Sequence, residues 1–178
     1  MQEFYVYHVV TEREMKLSQE IFFGENKTNG VHKRVQATLD VLQGKQVSED
    51  LQNIIKENIA YWKGVALREQ ALENIRRAEF DFYPSRMACL YVSQSYEDAL
   101  TWAESFVAKG RKVFSIVKLL VKGRLFKGNA FNCFEGCDDN KTNEDLARAY
   151  WQNKDNENVL YEYLVDGHIK VVEILKTF

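Results

Sequence analysis

Three side chains that can hydrogen-bond a polar ligand stand in short apolar segments far apart in the sequence. His8 lies in YVYHVV, Tyr91 in CLYVS and Glu162 in VLYEYLVDG. A carboxylate among β-favouring residues, as at Glu162, is costly to desolvate unless a partner or a cleft receives it. One such residue on each of three predicted strands indicates a composite site. Three plainer interpretations stay open: Glu162 on the wet face of an edge strand, His8 as a hydrogen-bonded core histidine, and Tyr91 as a core tyrosine.

The period of the apolar residues predicts the elements that position these side chains. Aspartate and glycine at Asp166-Gly167, between two β-runs, predict a hairpin. We interpret the turn-rich residues 24–30 as a surface connection, with a flap over a site as the alternative. Strands are predicted over residues 4–10, 87–92, 113–121, 124–126, 159–167 and 169–175. Helices are predicted over residues 31–42, 48–77 with a break near Gly64, 96–109 with Ser95 as the N-cap, and 144–151.

The predicted order of elements indicates the fold class. Helices are concentrated in the N-terminal half and strands in the second half, with one strand at the N-terminus. This order predicts an α+β fold with a largely antiparallel, split sheet, rather than a regular βαβ alternation. Neither G-x-G-x-x-G nor G-x-x-x-x-G-K-[ST] occurs, so no dinucleotide fingerprint or P-loop is predicted. We expect a single domain over residues 1–178.

Charge and cysteine usage exclude several classes of function. A net charge of −2 lacks the basic excess of a dedicated nucleic-acid binder. The sequence has neither an export signal nor an apolar run of membrane-spanning length, which predicts a cytoplasmic protein with no membrane partner. Cys89, Cys133 and Cys137 are then expected to be reduced, as buried structural thiols. The spacing of Cys133 and Cys137 supplies no fourth zinc ligand, so no metal is predicted.

The three strand segments together resemble the motifs of a known family. YHVV around His8, LYVSQSYEDALTWAESF from Leu90 and YEYLVDGHIKVVEIL from Tyr161 are similar to the three strand motifs of ADP-ribosyltransferases. The similarity is to the His-Tyr-Glu branch, typified by poly-ADP-ribose polymerase catalytic domains. It implies the ADP-ribosylation fold, NAD as the substrate and no metal. We expect the nearer relatives of the chain in a bacterial subfamily of this fold.

The resemblance also implies a role for each matching residue. Glu162 is expected to hydrogen-bond the 2′-hydroxyl of the nicotinamide ribose and to stabilise the oxocarbenium-like state that forms when the glycosidic bond breaks. Tyr91 is expected to stack on the nicotinamide ring. His8 is expected to hold a hydroxyl of the adenosine ribose.

Three further residues complete the implied site. Ser93 keeps the hydroxyl that often follows the second motif. Val9 stands where the family has a glycine whose backbone grips the nicotinamide amide. Arg86, just upstream of the Tyr91 strand, is a candidate contact for a phosphate of the dinucleotide, with an ordinary surface arginine as the alternative.

The sequence therefore predicts an NAD-dependent ADP-ribosyltransferase, with or without NAD glycohydrolase activity. Its acceptor, for which a protein is one candidate, and its oligomeric state stay open. The first alternative is a catalytically inactive domain of the same fold that binds a nucleotide or ADP-ribose. The second is an RNA 2′-phosphotransferase-like enzyme, which three histidines and a net charge of −2 fit poorly.

Overall fold

The structure is a computed structural model that describes residues 2–24 and 27–178. The described residues form seven strands and five helices in an α+β arrangement, which confirms the predicted class. In chain order the elements are β1 Gln2–Val10, β2 Glu20–Phe23, α1 Gly30–Leu42, α2 Glu49–Glu57, α3 Ile59–Glu79, β3 Leu90–Val92, α4 Tyr96–Ala108, β4 Ser115–Gly123, β5 Leu125–Asn129, α5 Asn140–Trp151, β6 Tyr161–Val165 and β7 Gly167–Thr177.

The chain divides into two compact units. The strand unit comprises the described residues of Met1–Lys27, Cys89–Lys127 and Glu162–Phe178. The helical unit comprises Thr28–Ala88 and Gly128–Tyr161, and it contains α1, α2, α3 and α5. The expectation of a single domain over residues 1–178 stays a prediction.

Two sheets make up the strand unit. One has four strands in the order β1-β4-β7-β2, and the other has three in the order β3-β6-β5. The pairings of β1 with β4, β4 with β7, β2 with β7, and β3 with β6 are all antiparallel. Strand β4 lies between β1 and β7, as its nearly continuous apolar sequence predicts, and Ile116, Val117, Leu119 and Val121 are fully buried on it.

Helix α4 packs on β1 and β4 within the strand unit. Ser95 caps it as predicted, since the Ser95 Oγ accepts from the Asp98 backbone N–H at 3.1 Å and donates to the Asp98 carboxylate at 2.7 Å. Ala99 and Ala103 are fully buried and pack in one cluster with Val9 and Ile116. The small residues of α4 let the helix lie close to the sheet.

The predicted break in the long helical segment is misplaced. Gly64 lies inside α3, and the helix breaks instead at Asn58, whose φ of −145° and ψ of 65° are not helical. The Asn58 side chain accepts from the Tyr61 backbone N–H and caps α3. Gly64 packs closely on Gly136: a Cβ at Gly64 would lie 3.1 Å from the Gly136 carbonyl oxygen, and a Cβ at Gly136 would lie 2.2 Å from the Gly64 carbonyl oxygen.

The predicted hairpin at Asp166-Gly167 is wrong. Strands β6 and β7 flank this dipeptide, but β6 belongs to the three-stranded sheet and β7 to the four-stranded one. Gly167 has a φ of +86°, a backbone conformation that glycine adopts without steric cost. This conformation suits a hairpin turn and a passage between two sheets equally well. The Asp-Gly signal therefore predicted the backbone conformation correctly, but it did not predict which strand β7 pairs with.

Two further differences concern the segment after β1. The sequence did not predict β2, whose four residues EIFF follow a polar stretch and pair with β7. The predicted loop or flap over residues 24–30 contains Glu25 and Asn26, which lie outside the described residues.

Candidate functional site

The site begins with His8, near the C-terminal end of β1. The His8 ring nitrogen Nδ1 lies 2.8 Å from the Tyr91 carbonyl oxygen on β3. Because a carbonyl oxygen only accepts hydrogen bonds, Nδ1 must carry the proton. In the neutral ring the other nitrogen, Nε2, is then an acceptor, suited to a hydroxyl donor.

Burial keeps this ring neutral. It lowers the pKa of His8 from 6.5 to about 4, and the positive charge of Arg111 acts in the same direction. The hydrogen bond to the Tyr91 carbonyl and the charge of Glu12 oppose the shift without cancelling it. At neutral pH, His8 is therefore a fixed, uncharged acceptor rather than a cation.

The three strands that carry the motif residues are neighbours in space. Tyr7 on β1 and Ser93 after β3 exchange backbone hydrogen bonds of 2.9 and 2.7 Å. Strand β3 in turn pairs with β6, with Tyr91 opposite Leu164. Segments that are far apart in the sequence thus form a continuous row β1-β3-β6.

The pleat then decides which side chains share a face. Residues directly opposite each other on antiparallel strands point to the same face, and residues two apart on one strand do so too. Tyr91 and Ser93 therefore share a face with Leu164, and Glu162 has the same parity as Leu164. Tyr91 and Glu162 are both half-buried. The structure brings this phenol, hydroxyl and carboxylate to one face of β3 and β6.

His8 reaches this group by a different route. It follows Tyr7, which opposes Ser93, so its Cβ starts from the other face of the row. Its imidazole nevertheless spans the gap between β1 and β3 to contact the Tyr91 main chain. His8 is thus joined to Tyr91 through the backbone.

Val9, at the position of the family glycine, is buried. Its side chain packs in the cluster formed with Ala99, Ala103 and Ile116, so α4 fills the space beside it. The extra atoms of valine are accommodated by these alanines.

Arg86 lies in the helical unit and is not a surface arginine. It is 7% exposed, and its Nε donates to Glu69 at 2.9 Å. Its Nη1 donates to the Tyr150 hydroxyl at 2.7 Å, and its Nη2 lies 3.8 Å from the Cys133 sulfur. The guanidinium already has protein partners, and its role as a phosphate contact stays a prediction.

The cysteines differ from one another. All three are free thiols; Cys89 is buried, Cys133 is half-buried and Cys137 is exposed. The expectation of buried structural thiols is therefore wrong for Cys137. It lies just before α5, at a polar surface where its sulfur is within 3.5 Å of an Asn143 side-chain oxygen.

Sequence reasoning missed two groups beside the predicted site. Arg111 contacts the end of β1 by donating to the Thr11 hydroxyl at 2.8 Å, and its charge acts on His8. Asp166, four residues after Glu162, accepts hydrogen bonds from Arg124. The sequence carries no signal for either contact, because the partners lie on segments that are distant in the chain.

Two searches among the described residues bear on other classes of site. Residues 2–24 and 27–178 contain no group of three or more His, Cys, Asp or Glu side chains placed to hold a metal ion. Within the same residues, none of the helices has the length and apolarity needed to cross a bilayer.

Comparison with known proteins identifies the family of the chain. No curated protein matches the chain. A family model described as "Protein of unknown function (DUF2441)" matches residues 6–177, which includes both units and all three motif strands. The chain therefore belongs to the DUF2441 family.

Proposed function

We propose that the protein binds NAD along the β1-β3-β6 row and cleaves its nicotinamide–ribose bond, transferring ADP-ribose to an acceptor or to water. The observation that carries this proposal is the spatial row formed by three strands whose His, Tyr and Glu resemble the motifs of ADP-ribosyltransferases. If the three strand patterns resembled the family motifs only by chance, we would not expect the three strands to be neighbours in space.

The residue types fit the reaction. Cleavage passes through an oxocarbenium-like state, which a carboxylate beside the ribose stabilises electrostatically. Glu162 is the half-buried carboxylate on the face that also carries Tyr91 and Ser93. Tyr91 offers an aromatic surface for the nicotinamide ring. Cleavage breaks the C1′–N bond, and nicotinamide leaves with the bonding electron pair as a neutral molecule. The acceptor or water forms the new bond to C1′ and releases one proton to the solvent.

His8 supplies a contact that needs no charge. With Nδ1 donating to the Tyr91 carbonyl, Nε2 can accept from a ribose hydroxyl. Its pKa of about 4 keeps this acceptor in place throughout the neutral range. We therefore expect His8 to contribute to binding and Glu162 to contribute to bond cleavage.

The second candidate function is an inactive domain that binds NAD or ADP-ribose, and Val9 favours it. The valine and the helix packed against it occupy the space that a glycine leaves open for the nicotinamide amide. Such a domain would retain the contact at His8 and lack turnover.

One pair of measurements separates these functions. Calorimetric titration with NAD tests binding, and release of nicotinamide from NAD tests cleavage. We expect His8→Ala to weaken binding by about tenfold or more, with His32→Ala in α1 as the matched control. We expect Glu162→Gln to abolish nicotinamide release with little change in binding, whereas Glu173→Gln, an exposed carboxylate of β7, should leave it unchanged.

The possible outcomes differ clearly. Binding that depends on His8 without release of nicotinamide to water would exclude the glycohydrolase reaction and favour the inactive alternative. The absence of binding by both NAD and ADP-ribose in the wild-type protein would refute the proposal.

A further inference from the structure

The two sheets of the strand unit meet at a bridge and at a crossing. The bridge is the hydrogen-bonded pair Tyr7–Ser93, next to His8. The crossing lies where β4 passes into β5 through Gly123 and Arg124, beside the point where β6 passes into β7 through Asp166 and Gly167. Both passages carry the chain from one sheet to the other.

The crossing leaves no room for side chains at its glycines. A Cβ at Gly123 would lie 1.9 Å from the Asp166 carbonyl oxygen, and a Cβ at Gly167 would lie 2.5 Å from the Lys122 carbonyl oxygen. Both obstacles are main-chain atoms, so a substitution must move one backbone away from the other. The two passages are therefore held at a fixed, close separation.

A buried carboxylate locks the same point. Asp166 is 7% exposed, and its Oδ1 accepts from the backbone N–H of Arg124 at 3.2 Å. The guanidinium of Arg124 adds bonds from Nε to Oδ2 at 3.0 Å and from Nη2 to the same oxygen. A charge-assisted, two-nitrogen contact of this kind fixes direction as well as distance.

We propose that Arg124 and Asp166 are a positioning pair that sets Glu162 relative to His8. Glu162 lies on the short strand β6, and Asp166 directly follows the last residue of that strand, four residues after Glu162. Strand β3, which connects β6 to β1, has only three paired residues and one bridge to Tyr7. The two sheets share an apolar core, in which Val165 of β6 packs in one cluster with Val117 of β4. Apolar contacts are not directional, so the directional restraint on the angle between the sheets comes from the bridge and from the ion pair at the crossing. The inference rests on the proposed function for the identity of the ligand, but the positioning itself can be tested without one.

The histidine side chains provide that test, since the chain has only three. ¹⁵N NMR of the imidazoles reports His8 at the site, His168 next to Gly167, and His32 in α1 as an internal control. The first variant is Asp166→Asn, which keeps the size of the side chain and one acceptor oxygen but removes the charge. We expect the Nδ1 resonance of His8 to shift and the pKa of His8 to rise from about 4 toward 6.5. The reason is that water reaches the ring when the two sheets are held less firmly at the crossing.

A second pair in the chain serves as the matched control. Arg148 binds both carboxylate oxygens of Glu79 through Nε, at 2.8 and 2.9 Å, in the helical unit. We expect Glu79→Gln to leave the His8 resonances unchanged. Arg124→Lys keeps the positive charge but loses the two-nitrogen contact. It should reproduce the effect of Asp166→Asn, and the double variant should add little to either.

The outcomes separate this inference from the proposed function. If only His168 responds in folded Asp166→Asn and Arg124→Lys proteins, the pair is merely structural and the inference is refuted. If the wild type binds NAD, both variants should weaken binding by about tenfold or more, whereas Glu79→Gln should not. If the wild type does not bind NAD, the proposed function fails, and the His8 resonances still decide the role of the pair.

Discussion

The helical unit and the strand unit have interiors of different chemistry. In the helical unit, Glu69 is 1% exposed and contacts both Arg86 and Arg68. Glu73 is paired with Arg76 and accepts from the Ser85 hydroxyl. Charged groups therefore form part of the packed interior between α3 and the residues that follow it.

The core of the strand unit is instead mainly aliphatic, and its Arg124–Asp166 ion pair lies at the crossing of the two sheets. Its larger core cluster contains Val117, Leu119 and Val121 of β4 together with Ile169 and Val171 of β7, all at most 1% exposed. These side chains interdigitate across neighbouring strands without polar partners. Burial of apolar area drives this packing and requires no exact pairing of charges.

The difference predicts how each unit tolerates substitution. A buried charge that loses its partner keeps its desolvation cost, whereas an apolar cavity costs energy in proportion to its volume. The helical unit should therefore be most sensitive to the loss of one member of a pair, and the strand unit to the loss of volume.

The largest expected effect is in the helical unit. Burial alone would raise the pKa of Glu69, but the charges and hydrogen bonds of Arg86 and Arg68 hold it below its ordinary value. Glu69→Gln removes the negative charge and leaves the buried Arg86 without its counter-ion. We expect the free energy of unfolding to fall by about 3–5 kcal/mol, measured by chemical denaturation, with faster hydrogen exchange in Ile59–Glu79.

A double variant provides the control for that prediction. Glu69→Met combined with Arg86→Met replaces the pair by apolar groups of similar length, which is often neutral or stabilising. The double variant should therefore be clearly more stable than Glu69→Gln. Equal stability of the two would contradict the idea that pairing, rather than packing, is what Glu69 provides.

Local sequence patterns were sufficient for several elements of the fold. The apolar run of β4 predicted a central strand, because a strand that is covered on both faces does not alternate between apolar and polar residues. The Ser95 cap and the apolar stripe of α4 were likewise local. The hairpin at Asp166-Gly167 failed, because a turn signal specifies backbone geometry and not the sheet that the next strand joins.

The candidate site could be predicted only in part for the same reason. The residue types at Tyr91 and Glu162 stood out against apolar strands, and their shared face follows from the register. The burial of Arg86 was hidden, because its partner Glu69 lies 17 residues earlier on α3 and charged residues on a helix usually face water. The tautomer of His8 depends on one carbonyl, 83 residues away.

The matching test in the strand unit removes volume from its core. Leu119 is fully buried in the apolar cluster of β4 and β7. Leu119→Ala should lower the free energy of unfolding by about 3 kcal/mol, within the roughly 2–5 kcal/mol typical of such cavities. Leu119→Met, which nearly conserves volume, should cost less than about 1.5 kcal/mol. Similar losses in the two variants would show that side-chain shape, rather than volume, dominates this core.

The smallest expected effect concerns the pH dependence of stability, which differs between the two units. The pKa of His8 is about 4 in the folded protein and 6.5 when unperturbed, so the unfolded chain binds a proton first as the pH falls. The contribution of His8 is therefore complete above pH 6.5 and is lost between 6.5 and 4. Despite their burial, Glu69 and Glu73 have pKa values held below 4.5 by their arginine partners, and Ser85 also donates to Glu73. Their contributions are retained down to pH 4.5 and lost below it.

Replacement of His8 therefore tests the upper part of that acid range. His8→Asn keeps an N–H donor for the Tyr91 carbonyl but does not titrate. We expect denaturation midpoints measured from pH 7 to 4.5 to become less dependent on pH in this variant, while His32→Asn in α1 leaves the dependence as it is. An unchanged slope in His8→Asn would mean that the ring is hydrated in the folded protein. Nε2 would then be bonded to water before any ligand arrives, and His8 would contribute little to the selection of a ribose hydroxyl.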